Sequence, residues 1–184
     1  MRSFWRLYLR LMGWNVALEF PYHSLKKYIL IVAPHTSNWD FIIGLGYRSL
    51  LGLTRTRFLG KKELFKPPFG VLFRTLGGIP VDRKNKHHLV DEVAGLFRQH
   101  DEFSIAISPE GTRSRVDKLR TGFYFIARQA HVPIVMVGFD WKNKTVLFGA
   151  PFVPEDQAKD FAASLGFYRT IEGRYPEKGL MGLQ

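Results

Sequence analysis

The sequence predicts an α/β protein: a mostly parallel central sheet flanked by helices, with an amphipathic helix at the amino terminus. Short apolar runs alternate with longer stretches of helical periodicity along most of the 184 residues. Parallel strands need a long crossover between them, so alternation of this kind indicates a parallel sheet. The length is that of one folded unit with a substantial core.

The amino-terminal segment, residues 1–20, is predicted to lie in a membrane interface. Arg2, Arg6 and Arg10 follow one another at four-residue steps, which places them along one stripe of a helix. Aromatic and aliphatic residues fill the rest of that helix, a combination typical of interfacial helices. The alternative is a terminal helix packed on the protein with its arginines in water. Residues 21–184 then form the α/β domain.

A strand followed by a polar loop and a helix organises that domain. Apolar and β-branched residues run over 28–33 and end at a proline, which predicts a buried strand. Thr36, Ser37 and Asn38 can each cap the helix that follows. His35 is therefore expected at the carboxyl end of a central strand, where open α/β sheets bind their ligands.

His35 and Asp40 are candidates for an acid–base pair. A turn between them brings the carboxylate onto the imidazole ring, which leaves the second ring nitrogen able to act as a general base. The alternative is a surface histidine beside an aspartate that stabilises the amino terminus of a helix.

The remaining elements continue the alternation of strands and helices. Strands are predicted at 56–59, 77–83, 103–107, 132–139 and 145–148, and helices at 41–53, 69–76, 87–100, 118–130 and 154–169. The tail from Glu172 is predicted to be weakly ordered. No apolar run reaches the length of about 18 residues that a transmembrane helix needs.

Cations follow several of these strands. Lys61 follows a glycine after the strand at 56–59, and Arg83 ends the strand at 77–83. The loop at 108–115 offers a glycine, hydroxyl groups and Arg113, whose guanidinium can bind a phosphate through two parallel hydrogen bonds. We expect these residues to bind an anion.

Composition narrows the classes of function. The formal charge of +11 and the pI near 10 favour an anionic partner, which is a nucleic acid, a membrane surface or a phosphorylated substrate. The chain has no cysteine, so disulfides and thiolate chemistry are excluded. No metal-ligand cluster is evident. Most aromatic residues lie in apolar runs rather than among lysines and arginines, which argues against a nucleic-acid partner.

Four segments together resemble the motif blocks of the glycerolipid acyltransferases, the superfamily of lysophosphatidic acid and glycerol-3-phosphate acyltransferases. They are the H-x4-D motif of His35 and Asp40, G-I-P-V-D-R at 78–83, P-E-G-T-R at 109–113 and V-P-I-V at 132–135. Their order and separations match the family, and the resemblance covers about residues 30–138.

The resemblance implies transfer of a fatty acyl group from acyl-CoA or acyl carrier protein to the hydroxyl of a lysophospholipid such as 1-acylglycerol-3-phosphate, in phospholipid biosynthesis. It implies His35 as the base and Asp40 as the residue that orients it, with the thioester as co-substrate and no further cofactor. The expected location is the cytoplasmic face of a membrane, as a peripheral protein. No Ser or Cys stands in a G-x-S-x-G setting, so direct transfer is expected rather than an acyl-enzyme.

The expected substrate-binding residues combine the two blocks that the resemblance assigns to the acceptor, one ending in Arg83 and one spanning residues 110–113, with polar residues of the His35 loop and the cation after the strand at 56–59. These are Thr36, Ser37, Asn38, Lys61, Arg83, Glu110, Gly111, Thr112 and Arg113. Two alternatives stay open: the same reaction on a hydroxyl- or amine-bearing lipid without a glycerol phosphate, and a non-catalytic module that binds lipid or nucleic acid.

Overall fold

The computed structural model describes residues 1–82 and 86–182, without the side chains of residues 86 and 87. Within these ranges the strands are β1 Lys27–Ala33, β2 Thr56–Lys61, β3 Gly78–Val81, β4 Phe103–Ile107, β5 Ile134–Asp140 and β6 Thr145–Phe148. The helices are α1 Arg2–Leu11, α2 Trp39–Leu50, α3 Gly70–Thr75, α4 Lys86–Gln99, α5 Gly122–Ala130 and α6 Gln157–Tyr168. Short 3-10 turns occur at Lys62–Phe65 and Pro176–Lys178.

The described strands form one sheet in the order β3-β2-β4-β1-β5-β6. All neighbouring pairs are parallel except β5 and β6. The predicted α/β class is therefore confirmed. Since β1, β2, β4 and β5 run in one direction, the loops that follow them meet at the same edge of the sheet.

Alternate residues of β1 enter two different cores. Ile29 and Ile31 are fully buried on the face that packs against residues of α4, α5 and α6. Leu30 is buried on the other face, with residues of α1 and α2. Burial of β1 on both faces agrees with its continuous apolar run.

α1 packs on α2. Leu9 is fully buried, and a Cβ atom at Gly46 would lie 3.0 Å from side-chain atoms of both Leu9 and Trp5, so the glycine permits this close approach. The Arg2 side chain donates hydrogen bonds to the carbonyls of Ser49 and Leu50 near the end of α2. The opposite side of α1 leaves apolar side chains in solvent: Phe4, Leu7 and Leu11.

The carboxyl-terminal tail corrects a prediction. Leu180 is fully buried in the core of the α4–α6 face, so the expectation of weak order from Glu172 onward is wrong. Among the described residues, no helix has both the length and the apolar character required to cross a bilayer.

Candidate active site

The loop between β1 and α2 brings His35 and Asp40 together. The Nδ1 atom of His35 lies 3.2 Å from an Oδ2 atom of Asp40. A quarter of the His35 side chain is exposed, whereas the Asp40 side chain is almost completely buried. This geometry points the second ring nitrogen of His35 away from the carboxylate, and that nitrogen can accept a proton from a substrate.

Several donors hold the carboxylate of Asp40 in place. Its Oδ2 atom accepts hydrogen bonds of 2.8 Å from the backbone N–H groups of Thr36 and Ser37. Its Oδ1 atom accepts a bond of 2.8 Å from the indole N–H of Trp141, which directly follows β5. The Ser37 hydroxyl accepts from the backbone N–H of Trp39, the first residue of α2. The carboxylate that meets His35 is therefore fixed from both of its oxygens.

The Glu110 side chain also holds this loop, through hydrogen bonds to its carboxylate. It is fully buried, and its Oε2 atom accepts a bond of 2.7 Å from the backbone N–H of His35 and a longer one from the Ser108 hydroxyl. Its Oε1 atom has no hydrogen-bond partner among the described residues. Burial raises the pKa of the Glu110 carboxyl to about 7, and the two hydrogen bonds oppose that rise only in part.

A large cavity opens beside His35. Its volume is about 2080 Å³. One part is walled by α2, including Gly44 and Leu45, and by residues of β1, β5 and β6 on the same face, including Val32 and Phe139. A Cβ atom at Gly44 would lie 3.4 Å from the Phe139 ring, so the absence of a side chain at this position lets α2 and the Phe139 ring lie close together. Such a lining suits a long apolar ligand.

The predicted substrate-binding residues divide into two groups. Asn38, Lys61, Gly111, Thr112 and Arg113 line the cavity. The Arg113 guanidinium donates to the side-chain oxygen of Asn38, which joins the loop after β4 to the loop after β1.

The second group consists of Thr36, Ser37 and Glu110, which are buried and whose side chains form hydrogen bonds within the protein, although the Oε1 atom of Glu110 has no partner among the described residues. These three side chains support the loop, and their direct contact with substrate stays a prediction. Arg83 lies outside the described residues.

The tail packs directly on the His35 loop, which the sequence did not indicate. The backbone N–H of Tyr175 donates to the Thr36 hydroxyl, and a Cβ atom at Gly173 would lie 2.8 Å from the Thr36 methyl group. The Arg174 guanidinium carbon lies 4.9 Å from the centre of the Trp141 ring. The position of Trp141 directly after a buried strand could have marked it as a candidate site residue. Its hydrogen bond to Asp40 could not be predicted, because the two residues are 101 positions apart in the sequence.

Comparison with known proteins gives consistent matches. A family model described as Acyltransferase matches residues 17–140. The chain is 33% identical over 144 residues to the 1-acyl-sn-glycerol-3-phosphate acyltransferase of Haemophilus influenzae, which covers 74% of this chain and 58% of that protein. It is 35% identical over 115 residues to the protein of the same name from Escherichia coli, covering 59% and 45% respectively.

A protein of Mycoplasma pneumoniae named a probable 1-acyl-sn-glycerol-3-phosphate acyltransferase is 28% identical over 136 residues, or 70% of this chain and 50% of that protein. The chain thus spans about half the length of the curated relatives it matches. Trp141 and the tail lie beyond the residues that the family model matches.

Proposed function

The chain belongs to the acyltransferase family, and from that premise we propose that it transfers a fatty acyl group from a thioester to the hydroxyl of a lysophospholipid. The thioester is acyl-CoA or acyl carrier protein, the acceptor resembles 1-acylglycerol-3-phosphate, and the product enters phospholipid biosynthesis. The observation that carries this proposal is the His35–Asp40 pair beside a largely apolar cavity.

In the proposed reaction, the free ring nitrogen of His35 takes the proton from the acceptor hydroxyl. The hydroxyl oxygen then bonds to the thioester carbon, whose carbonyl oxygen gains the negative charge. As the carbonyl re-forms, the carbon–sulfur bond breaks, and the protonated His35 returns the proton to the leaving thiolate. Asp40 holds the ring and stabilises its charged form, so the pair contributes a positioned base of a kind worth about 10²–10⁴-fold in rate.

The cavity supports the choice of substrates. Apolar walls beside α2 can hold the fatty acyl chain, since burial of each methylene group contributes about 0.8 kcal/mol. Arg113 and Lys61 line the same cavity and can pair with a phosphate on the acceptor. The exposed apolar residues of α1, together with Arg6 and Arg10, support a peripheral location on a membrane surface, and the face that we propose is the cytoplasmic one.

The test is an incubation of the purified protein with a panel of lysolipids and both kinds of acyl donor, with the products identified by mass spectrometry. We expect His35→Ala to lower turnover by at least about 100-fold, the lower end of the effect of a positioned base. Its thermal melt should match the wild type, because His35 is partly exposed. His100→Ala is a matched control, since His100 is exposed and precedes β4 at the opposite edge of the sheet.

Asp40→Asn should also lower turnover, and it should lower the melting temperature as well. The amide nitrogen cannot accept the hydrogen bonds that one of the carboxylate oxygens now accepts. Near-normal turnover in folded His35→Ala would rule out the base mechanism. Failure of the wild type to acylate any lysolipid from either donor would rule out the function, and a product only from lipids without phosphate would identify the alternative acceptor.

A further inference from the structure

The chain between β2 and β3 exposes an unusual concentration of apolar side chains. We call residues 61–76 the α3 surface; it contains the 3-10 turn Lys62–Phe65 and helix α3. Its exposed apolar residues are Leu64, Phe69, Val71 and Leu72, with exposed fractions of 45%, 62%, 73% and 52%. Contiguous apolar residues in solvent mark a site of interaction with another molecule or with a membrane.

The inner side of the α3 surface is already anchored. Phe65 is buried against Gly60 and Gly78, where an added Cβ atom would lie 2.7 Å and 2.8 Å from its ring. The Phe73 ring contacts those of Phe65 and Phe41, which ties α3 to α2. Apolar residues therefore lie on both sides of this short segment, and those on the outer side have no partner in the described part of the chain.

Basic residues surround the exposed apolar group. Lys61, Lys62, Lys66 and Arg74 are exposed, and the single acidic residue of the segment is Glu63. Apolar side chains that can enter the hydrocarbon, beside cations that pair with lipid headgroups, are the two components of binding to an anionic bilayer. This charge favours a membrane over an apolar protein partner, since charged residues are depleted at the core of protein interfaces.

The α3 surface is continuous with the cavity. Leu64 and Leu72 are each about half exposed, and both also line the cavity, so they lie at an opening of it. α1 and α3 both contact α2, and both lie on the same face of the sheet. A membrane on that side would touch the exposed residues of α3 beside this opening.

We propose that the α3 surface is a second membrane-contact site, separate from α1. Through this site Phe69 and Val71 insert into an anionic bilayer. A lipid then passes from the bilayer into the cavity between Leu64 and Leu72. The passage of lipid rests on the proposed acyl transfer, whereas membrane binding by this surface does not depend on it.

The experiment measures flotation of the full chain with vesicles of phosphatidylcholine, with and without phosphatidylglycerol. Phe69→Ser combined with Val71→Ser should lower the partition coefficient by about tenfold or more, since two large apolar side chains no longer enter the bilayer. Lys62→Glu combined with Lys66→Glu should lower binding to the anionic vesicles by at least about tenfold and leave binding to neutral vesicles unchanged.

Matched controls distinguish binding through this surface from non-specific adsorption to vesicles and from loss of the fold. Val153→Ser removes an exposed apolar residue beside Phe152, which packs on the α4–α6 face, and should leave binding unchanged. Phe69 and Val71 do not line the cavity, so their double variant should keep full turnover on a short-chain soluble acceptor and lose it on bilayer lysolipid. If that variant is unfolded by circular dichroism, the lysine pair decides the test.

Wild-type vesicle binding by either folded double variant would overturn the proposal. So would a result in which the apolar variant changes the sedimentation coefficient but not vesicle binding, because the surface would then join two copies of the chain. Loss of vesicle binding in both variants supports the proposal even if no lysolipid is acylated, an outcome that would refute only the acyl transfer.

Discussion

Ionisation of Glu110 is expected to make the folded protein less stable as the pH rises, and Glu110→Gln should remove this dependence. The carboxyl is fully buried and its pKa is about 7, because burial disfavours the charged form. In the unfolded chain the carboxyl is in water and titrates at its ordinary pKa of about 4.3. The amide oxygen of Gln can still accept the hydrogen bond from the backbone N–H of His35.

The sign follows from the number of bound protons. Between the unfolded and folded pKa values, the folded protein keeps a proton that the unfolded chain has released, so the free energy of unfolding falls as the pH rises. The contribution is complete below about pH 4.3 and is lost above about pH 7. With about 1.36 kcal/mol for each pKa unit, the total for Glu110 is about 4 kcal/mol.

The assay is urea denaturation of the wild type and of Glu110→Gln at a series of pH values between 4.5 and 8. The difference between the two free energies of unfolding reports Glu110 together with its interactions with His35 and Asp40, because titrating groups distant from residue 110 contribute equally to both proteins. We expect the wild type to lose about 3 kcal/mol of this total relative to the variant across this range, because part of the loss has already occurred at the lowest of these pH values. A difference that stays constant with pH would refute the raised pKa and the burial from which it follows.

Two further predictions concern residues around the pair. Trp141→Phe removes the indole N–H that donates to Asp40, so we expect kcat to fall severalfold while KM changes little. Trp14→Phe is the control, because the buried indole N–H of Trp14 has no hydrogen-bond partner among the described residues. Equal kinetics for the two variants would leave Trp141 with a packing role only. Arg113→Ala should raise the KM for a phosphate-bearing acceptor about 10–150-fold, as expected for the loss of a hydrogen bond to a charged group. The KM for the acyl donor should not change, and Arg115→Ala is the control. An equal effect on both substrates would point to an acceptor without phosphate.

Local patterns were sufficient to predict the elements that carry His35 and Asp40. The apolar run before the loop and the polar residues after it place β1 and the start of α2 close to their observed bounds. Bounds were less predictable where apolar residues continue outside an element. The helix predicted at 118–130 begins at Gly122, since the residues before it form bends and irregular backbone in which Leu119 is buried without being helical.

Contacts between distant residues could not be predicted. The bond from Tyr175 to Thr36 spans 139 residues, and no periodicity connects the two positions. The tail from Glu172 has the glycines, proline and charges of a weakly ordered segment. It is ordered because the surface it covers accepts Leu180 and because Gly173 permits contact with the Thr36 side chain, and both conditions depend on the folded domain.

The loop geometry also constrains how the proposed reaction stabilises its transition state. The backbone N–H groups of His35, Thr36 and Ser37 already donate to the carboxylates of Glu110 and Asp40. They hold the loop, so the negative charge on the thioester oxygen has to be met by other donors. Arg113 lines the cavity beside Asn38 and carries a charge of the required sign. If it serves the oxyanion, Arg113→Ala lowers kcat for every acceptor, whereas binding of an acceptor phosphate alone predicts a change confined to KM.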